Sequence, residues 1–283
     1  MKYLSPINND ILYYFLPKRQ AETHKGNYGK ILLLCGSRGY TGAAAFAALG
    51  ALRTGAGLVY LGVPESIYEI ESVKLLEPVI IPLPDEAGSF GTDSSNVIKS
   101  ILPNMDAVLI GPGIGKTMGA FSTVEYVLKN AVCPVVLDAD GINVISEHKD
   151  ILRERTSPTI LTPHDGEFRR IGGVVLSDRV EAAGCLARDL GCILLLKGNR
   201  TIITDGDEYY INQSGNPGMA TGGSGDVLAG IIVSFLGQGL DPLQAAACGA
   251  WVHGCAGDIC ASEIGQYGML PQDMVNVLPR LLP

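Results

Sequence analysis

Residues 216–226 of this 283-residue chain, NPGMATGGSGD, place a carboxylate among glycines directly before an apolar segment of helical period. Glycines let backbone N–H groups approach an anion closely, and a helix N-terminus adds unpaired donors and the positive end of a dipole. The pattern predicts a phosphate cradle that contains Asp226. Alternatively, Asp226 or Ser224 is an ordinary helix cap, but a cap alone does not require a run so rich in glycine.

Asp226 in such a cradle is suited to act as a general base. It would accept the proton of a substrate hydroxyl while that oxygen attacks a terminal phosphoryl group, which the backbone N–H groups stabilise. Chemistry of this kind depends mostly on positioning and electrostatics, so glycines and one carboxylate suffice if Mg²⁺ is present. The segment therefore predicts phosphoryl transfer from a nucleotide.

A second glycine-rich segment, GPGIGKT at residues 111–117, is close to a P-loop. It has one residue too few between its first glycine and Gly-Lys-Thr to match that motif. It could bind a substrate phosphate or ribose, or it could form only a tight structural turn. No G-x-G-x-x-G opens a βαβ unit with an acidic residue about 20 residues later, so a Rossmann cofactor site is not indicated, although nicotinamide could still enter as a substrate.

Several charged or polar residues follow other apolar runs, and each has a plain alternative role. Lys197 in the segment 197–201 could contact a nucleotide or simply extend its ammonium to solvent. Asp138 and Asp140 could be metal ligands, but a role in a turn is favoured. His164 is as readily a solvated loop residue as a ligand contact.

Alternating strands and helices must position these segments. Short apolar runs alternate with longer stretches of helical period, which predicts parallel strands joined by crossover helices. The runs are apolar on both faces, so we predict an α/β three-layer sandwich with a mostly parallel central sheet flanked by helices on both faces. The predicted parallel strands are 30–34, 58–63, 79–83, 107–110, 135–137, 159–161 and 193–197.

The later part of the chain predicts an antiparallel edge followed by helices. Residues 201–204 and 208–211 flank Asp205-Gly206-Asp207, which is typical of a hairpin. Ligands of open parallel sheets bind at the carboxyl ends of the strands, so we expect the glycine-rich and polar loops to meet at one rim. The predicted helices are 43–54, 121–130, 178–190, 226–236, 242–262 and 271–282.

Composition narrows the class of protein. A hydrophobic content of 47% with 18% charged residues excludes disorder for the chain as a whole. A net charge of −8 without any basic run argues against a nucleic-acid partner. No uncharged stretch reaches the ~18 to 20 residues of a membrane helix, and no apolar signal segment begins the chain, so we expect a cytoplasmic protein without membrane contact.

The spacing of the residues and the evenness of the composition also bear on metal sites and on the number of domains. The seven cysteines and four histidines show no metal-binding spacing, and most cysteines are expected to be small buried hydrophobic residues. No linker, repeat or shift in composition marks a boundary. We therefore expect a single domain over residues 1–283, in which residues 1–25 form an N-terminal appendage.

A set of motifs, taken in order, resembles the ADP-dependent NAD(P)H-hydrate dehydratase family. Within it, GGSGD at residues 222–226 also resembles the G-x-G-D signature of the ribokinase-like superfamily, whose fold is a mostly parallel sheet flanked by helices. The match runs over about nine tenths of the chain. Its motifs are GNYGKILLLCGSRGYTGAAAFAALGALRTGAGLV (26–59), LIGPGIG (109–115), VLDADGIN (136–143), LTPHDGEF (161–168), LLKGNRTII (195–203) and NPGMATGGSGDVLAG (216–230).

The resemblance implies a metabolite-repair reaction. Nicotinamide nucleotides hydrated on their ring would be returned to NADH or NADPH, while ADP gives AMP and phosphate. Asp226 would be the catalytic base, Mg²⁺ the cofactor and ADP, or alternatively ATP, the co-substrate, and a homotetramer is expected. The resemblance implies hydrate binding at Ala43, Gly113, His164 and Asp226, and nucleotide binding at Lys197, Gly198, Asn199, Arg200, Thr201 and Gly225.

Two other functions remain open from the sequence. A vitamin-precursor kinase of the same superfamily, of the hydroxymethylpyrimidine or hydroxyethylthiazole type, would use the same cradle and base but leave the phosphate on its product. A non-catalytic nucleotide-binding module would need only the cradle. The residues do not decide between ADP and ATP, or between NADH hydrate and NADPH hydrate. They do not identify the Mg²⁺ ligands either.

Overall fold

A ten-stranded sheet runs through the computed structural model, which describes residues 5–16, 18–174 and 178–283. Its strands are β1 (Ser5–Pro6), β2 (Lys30–Leu34), β3 (Leu58–Pro64), β4 (Val79–Leu83), β7 (Ala107–Ile110), β8 (Val135–Leu137), β9 (Thr159–Leu161), β10 (Ile193–Leu196), β11 (Ile202–Thr204) and β12 (Tyr209–Ile211). Strands β5 (Asp85–Glu86) and β6 (Ser89–Phe90) form a separate two-stranded hairpin. The order across the large sheet is β1-β12-β11-β10-β9-β8-β7-β2-β3-β4.

The sheet is mostly parallel, as predicted. Strands β2, β3, β4 and β7 to β10 pair in parallel, and β1 is parallel to β12. Strand β11 is antiparallel to both of its neighbours, which confirms the hairpin, but the edge strand is β1, which pairs in parallel with β12. The predicted bounds shift slightly: β10 ends at Leu196 instead of Lys197, both hairpin strands begin one residue later, and β3 continues to Pro64.

Helices cover both faces of the sheet. They are α1 (Asn9–Phe15), α2 (Thr41–Arg53), α3 (Glu65–Lys74), α4 (Ser94–Ile101), α5 (Met118–Asn130), α6 (Asp140–Val144), α7 (Asp150–Arg153), α8 (Asp165–Arg170), α9 (Arg179–Leu190), α10 (Ser224–Gly237), α11 (Pro242–Glu263) and α12 (Pro271–Val277). Short 3₁₀ helices lie at Lys25–Tyr28, Leu102–Asn104, Pro217–Met219 and Leu278–Leu281.

The predicted helices at 43–54, 178–190, 226–236 and 242–262 shift by one or two residues at their ends, and two others differ more, for local reasons. Helix α5 starts at Met118, before the predicted residue 121, because the Thr117 hydroxyl accepts a hydrogen bond from the Ala120 amide at 3.1 Å and caps it. The last predicted helix is α-helical only to Val277 and continues as a 3₁₀ helix. Pro279 lacks an amide hydrogen for the α-helical pattern.

Side chains alternate between two hydrophobic cores, one on each face of the sheet. In β2, Ile31 and Leu33 belong to the core beneath α2, α10 and α11, whereas Leu32 and Leu34 belong to the core beneath α4, α5 and α9. This alternation follows from the period of two in a strand. It confirms the three-layer sandwich. Strand β4 is the exception, because it is an edge strand with exposed residues.

Helices α2 and α10 cross at backbone contact, and this contact positions the segment that carries Asp226. A Cβ on Gly50 would lie 2.6 Å from the Val227 carbonyl oxygen, and one on Gly230 would lie 2.2 Å from the Ala47 carbonyl oxygen. Such separations are too short for any side chain. Glycine in both helices therefore fixes how closely α10 approaches its neighbour.

The N-terminal segment is more than the appendage that we expected. Strand β1 extends the sheet by pairing with β12, and Leu12 of α1 is 1% exposed within the core. The Trp251 indole of α11 donates a hydrogen bond to Asn9 Oδ1 at 3.0 Å. The described part of residues 1–25 thus packs onto the sandwich. In the described ranges, no helix has both the length and the apolar character needed to span a membrane.

Candidate active site

Asp226 lies in the first turn of α10, at the carboxyl edge of the parallel strands. The residue that begins this helix is Gly223, in the left-handed region at φ 94°, and no side chain caps it. The Ser224 hydroxyl instead lies 3.3 Å from His253 Nε2. The structure therefore excludes the alternative in which Asp226 or Ser224 is an ordinary cap.

Backbone donors around Asp226 are open. Within residues 5–16, 18–174 and 178–283, the amides of Gly222, Gly223, Gly225 and Asp226 have no hydrogen-bond acceptor. Glycine makes this possible at Gly223, where a Cβ would lie 2.7 Å from the Phe46 ring. Free amides at the start of a helix form a site for an anion.

The Asp226 carboxylate is half-buried, and no hydrogen bond to it is found in the described part of the chain. Burial raises the pKa of Asp226 from 3.8 to about 7, and the carboxylates of Asp138 and Asp140 add to the rise, whereas the Lys197 ammonium opposes it. A base with a pKa near the operating pH is present in its active form and still holds a proton effectively. The environment of Asp226 therefore suits proton transfer near neutral pH.

A buried ion pair lies beside this carboxylate. Lys197 Nζ is 2.9 Å from Asp138 Oδ1, and the same oxygen accepts a hydrogen bond from the Thr162 hydroxyl at 2.7 Å. Burial alone would lower the pKa of Lys197, but the carboxylates of Asp138 and Glu167 outweigh it and raise that pKa. The favoured turn role for Asp138 is thus incomplete, because its side chain, 1% exposed, serves an ion pair. The Lys197 ammonium does not extend to solvent as the alternative from the sequence held, because it is paired with Asp138.

Asp140 does have the turn role that we favoured. Its Oδ2 accepts a hydrogen bond from the Gly115 amide at 3.0 Å, and its Oδ1 accepts one from the Asn143 side chain at 3.2 Å. These bonds join the loop after β8 to the glycine-rich segment after β7. Within the described residues, no group of three or more His, Cys, Asp or Glu side chains is arranged to hold a metal ion.

The segment Lys197–Thr201 leaves the end of β10 as a loop. The Thr201 hydroxyl donates to the Gly198 carbonyl at 2.9 Å, and the Lys197 amide donates to the Pro163 carbonyl at 2.9 Å. Gly198 adopts φ 143°, and a Cβ there would lie 2.8 Å from Arg179 Nη1. The side chains of Asn199 and Arg200 are exposed at the tip of this loop.

His164 caps helix α8. Its Nδ1 accepts hydrogen bonds from the Gly166 and Glu167 amides at 2.9 and 3.2 Å, so the ring proton resides on Nε2, 3.3 Å from Glu167 Oε1. The side chain is 57% exposed at the rim. The His164 side chain therefore caps α8 and still exposes part of its ring, which a ligand can contact.

Ala43 in the first turn of α2 and Gly113 in the loop after β7 are brought together. A Cβ on Gly113, which has φ 66°, would lie 2.8 Å from the Ala43 Cβ. The Ser37 hydroxyl donates to the Gly113 carbonyl at 2.7 Å, and the Gly36 amide donates to the Pro112 carbonyl at 2.8 Å. The loops after β2 and β7 and the start of α2 are therefore packed together, and Ala43 and Gly113 form what we call the floor of the site.

The structure gathers the predicted residues at one rim, as expected. Gly225 adjoins Lys197, since a Cβ there would lie 3.5 Å from its Nζ, and Glu167 Oε2 lies 4.0 Å from the same atom. Glu167 in turn accepts a hydrogen bond from the His164 amide at 3.0 Å. Asn199 and Arg200 are the predicted residues for which no contact with this group is found among the described residues.

Three supporting residues were missed by reasoning from the sequence. Thr162 fixes Asp138, Arg179 donates to the Lys197 carbonyl at 2.5 Å, and His253 contacts Ser224. Burial lowers the pKa of His253 to about 4, so its ring is neutral at pH 7. Thr162 lies next to the strand end in LTPHD and could have been suspected. Arg179 and His253 reach the site through tertiary packing and carry no local signal.

The arrangement can bind an anion at free amides and can remove a proton beside it. A family model described as NAD(P)H-hydrate dehydratase matches residues 31–280. A bifunctional NAD(P)H-hydrate repair enzyme from Moorella thermoacetica is 42% identical over 273 residues, which cover 94% of this chain and 52% of that protein. The chain spans about half the length of the curated relatives that it matches first.

Two solved structures share the fold. A ribokinase-like superfamily protein from Enterococcus faecalis has a TM-score of 0.87 at 28% identity, covering 98% of this chain and 94% of that one. An ADP/ATP-dependent NAD(P)H-hydrate dehydratase from Bacillus subtilis, co-crystallised with ATP and Mg²⁺, has a TM-score of 0.82 at 31% identity, covering 98% and 97%. The fold is thus ribokinase-like, and the chain belongs to the NAD(P)H-hydrate dehydratase family.

Proposed function

We propose that this chain restores NADH and NADPH from their ring-hydrated forms, with ADP or ATP as phosphoryl donor and Asp226 as general base. One observation carries the proposal. A half-buried carboxylate whose pKa is raised to about 7 lies in a helix turn where the amides of Gly225 and Asp226 have no acceptor in the described part of the chain. Acid-base chemistry and anion binding are thereby placed within the same few residues.

The reaction is proposed to proceed in two steps. Asp226 accepts the proton of the hydrate's hydroxyl as that oxygen attacks the terminal phosphoryl group of the nucleotide. The open amides of Gly222, Gly223, Gly225 and Asp226 stabilise the charge on the group in transfer. The phosphorylated hydroxyl is then a good leaving group, and it departs as phosphate while a ring proton is lost and the ring double bond is restored. With ADP as donor, the other product is AMP.

The substrate positions are part of the same proposal. The floor made by Ala43 and Gly113 is proposed to support the hydrate, because two residues that the resemblance assigns to the hydrate contact each other there. Lys197 and Gly225 adjoin each other and favour a phosphate between them. The proposed hydrate-binding residues are Ala43, Gly113, His164 and Asp226, and the proposed nucleotide-binding residues are Lys197, Gly198, Asn199, Arg200, Thr201 and Gly225.

Mg²⁺ fits this site only as a companion of the nucleotide. The described residues hold no cluster of three ligands for it, whereas Mg²⁺ at phosphate sites commonly uses one or two carboxylates together with phosphate oxygens and water. Asp138 is already engaged by the Lys197 ammonium and the Thr162 hydroxyl, so phosphate oxygens of the nucleotide and water would be the ligands of the ion there. Bound there, the ion would neutralise charge on the phosphates. The protein's own part is to present the amides, the base and the Lys197 ammonium.

Recovery of reduced-nicotinamide absorbance tests the proposal. The purified chain is incubated with hydrated NADH or NADPH, Mg²⁺ and either ADP or ATP, and we expect absorbance to return with stoichiometric release of phosphate. Asp226→Asn should lose turnover by a factor of at least about 10² while it still binds nucleotide. Asp241→Asn is the matched control, because Asp241 caps α11 away from the rim and asparagine caps equally well.

The same experiment separates the other functions. Stable phosphorylation of a hydroxymethylpyrimidine or a thiazole alcohol, without recovery of reduced nicotinamide, would favour the vitamin-precursor kinase. Nucleotide binding without turnover in both the unaltered chain and Asp226→Asn would favour a binding module. We also propose that residues 1–283 act as a single domain, in the cytoplasm, where a homotetramer is predicted. Size-exclusion chromatography with light scattering tests the assembly.

A further inference from the structure

The Lys197 ammonium lies between the positions proposed for the two substrates. On one side it adjoins Gly225, where a Cβ would lie 3.5 Å from Nζ. On the other side Nζ is 4.0 Å from Glu167 Oε2, and this carboxylate also accepts the His164 amide hydrogen at 3.0 Å. One cation is thus within reach of both the cradle and the loop that carries His164.

Asp138 holds this ammonium in place. Its Oδ1 is 2.9 Å from Lys197 Nζ and accepts the Thr162 hydroxyl hydrogen at 2.7 Å. Asp138 and Thr162 are each 1% exposed, so the carboxylate has little freedom to rotate. A lysine stem has several rotatable bonds, and a fixed anion restricts the positions that its ammonium can occupy.

We propose that Asp138 is a positioning residue: it acts through Lys197, which it holds beneath residues 222–226, so that one cation faces both the transferring phosphoryl group and the Asp226 carboxylate. This inference rests on the proposed function, because it concerns the same site. The ion pair does more than fill the protein interior. Its ammonium lies beside Gly225, where the absence of a side chain leaves room for a ligand oxygen to approach it.

Several charged or titratable groups face Asp226 from the elements packed around it. Those that interact with Asp226 itself are Cys35 after β2, Asp138 and Asp140 after β8, and Lys197 after β10. Glu167 on α8 and His253 on α11 interact with Lys197 instead. Burial and the negative charges of Asp138 and Asp140 raise the pKa of Asp226, while Lys197 lowers it. Removing the charge of Asp138 should therefore move the acidic limb of the pH–rate profile to lower pH. Removing the charge of Lys197 should move it to higher pH.

A double-mutant cycle tests whether Asp138 acts through Lys197. Asp138→Asn, Lys197→Met and the double variant are compared with the unaltered chain by hydrate repair, with kcat and the KM for ADP measured separately from pH 5 to pH 9. We expect each single substitution to lower kcat about 10-fold to 100-fold. The double variant should be no slower than Lys197→Met alone, because the effects of two residues acting as one are not multiplied.

Glu71→Gln supplies the matched control. Glu71 on α3 is also fully buried, at 0% exposure, and is paired with a lysine, Lys74, at 3.0 Å. Its charge is not among those that act on Asp226. Asp138→Asn should lower the melting temperature, because it leaves the buried Lys197 charge without its closest partner. Burial raises the pKa of Glu71, so Glu71→Gln should change the melting temperature little at neutral pH. Only Asp138→Asn should lower kcat and shift the acidic limb.

Each outcome bears on the inference. Losses of kcat that multiply in the double variant, or an Asp138→Asn variant with lower stability but unchanged kcat and pH profile, would overturn it. If Asp138→Asn does not fold, the double variant can replace it, because it removes both charges and is better tolerated. A kcat of the double variant below that of Lys197→Met would then overturn the inference. Absence of repair by the unaltered chain would overturn the proposed function as well. Normal repair together with an unaffected Asp138→Asn would overturn this inference alone.

Discussion

Asp226→Asn is expected to make the folded protein more stable at pH 8 than the unaltered chain. The pKa of Asp226 rises from 3.8 to about 7 in the folded protein, chiefly because burial removes the carboxylate from water. Between those two pH values the folded state keeps a proton that the unfolded state has released. The stability that this proton contributes is complete below the lower pKa and is lost as the pH rises through the higher one.

The magnitude follows from the interval between the two pKa values. Each pH unit over which only the folded state is protonated changes the free energy of unfolding by about 1.4 kcal/mol. The rise from 3.8 to about 7 thus corresponds to at most about 4 kcal/mol, an upper limit because part of the side chain is accessible to water. Asparagine has nearly the same shape and does not titrate. Its advantage should therefore grow from near zero at pH 4 to its full size at pH 8.

Urea denaturation at pH 5, 6, 7 and 8 measures this difference. Trp251 is the single tryptophan and provides the fluorescence signal. Asp241→Asn serves as the control, because its carboxylate accepts the Leu243 and Gln244 amide hydrogens at a helix start and should show no comparable gain at high pH. A stability difference between Asp226→Asn and the unaltered chain that stays constant from pH 5 to pH 8 would refute the reasoning.

Three further substitutions test the cradle, the floor and the N-terminal segment. Gly223→Ala should cost at least about 1 kcal/mol and weaken nucleotide binding in calorimetry, because φ is 94° and the new Cβ would lie 2.7 Å from the Phe46 ring. Gly113→Ala should raise the KM for the hydrate more than the KM for ADP, because the new Cβ would lie 2.8 Å from the Ala43 Cβ. Equal changes in the two KM values would contradict the proposal that Ala43 and Gly113 support the hydrate. Leu12→Ala should cost about 2 to 5 kcal/mol in urea denaturation, since Leu12 is 1% exposed, and a cost near zero would show that the segment contributes nothing to the core.

The sheet was predictable from the sequence because its strands are buried on both faces. Continuous apolar runs such as 107–110 and 135–137 match β7 and β8, and the Asp-Gly-Asp segment gave the antiparallel hairpin correctly. The N-terminal pairing was not predictable. Strand β1 has two residues, Ser5–Pro6, and it joins the sheet through β12, about 200 residues later in the chain. No local pattern encodes so distant a contact.

The cradle was predictable in part, because its glycines and Asp226 are contiguous in the chain. The electrostatic setting of Asp226 was not, because Asp138 and Lys197 are separated by 59 residues and meet only when β8 and β10 take their places beside β9. From the sequence alone, the aspartate was typical of a turn and the lysine was typical of a solvated strand end. Burial of both side chains converts two ordinary residues into one ion pair. The assignment of the individual binding residues remains a prediction until the variants are measured.

The features that make this site suitable for chemistry also make it unstable, and the helix crossing offsets them. Amides without a hydrogen-bond acceptor and a half-buried carboxylate with a raised pKa disfavour the folded state. Helix α10 nevertheless begins at a fixed place, because Gly50 and Gly230 allow the backbones of α2 and α10 to touch and because residues 227–236 are buried. Hydrophobic burial along the helix therefore stabilises a first turn that could not be stable alone. Adding a side chain at the crossing would displace Asp226 without touching any substrate.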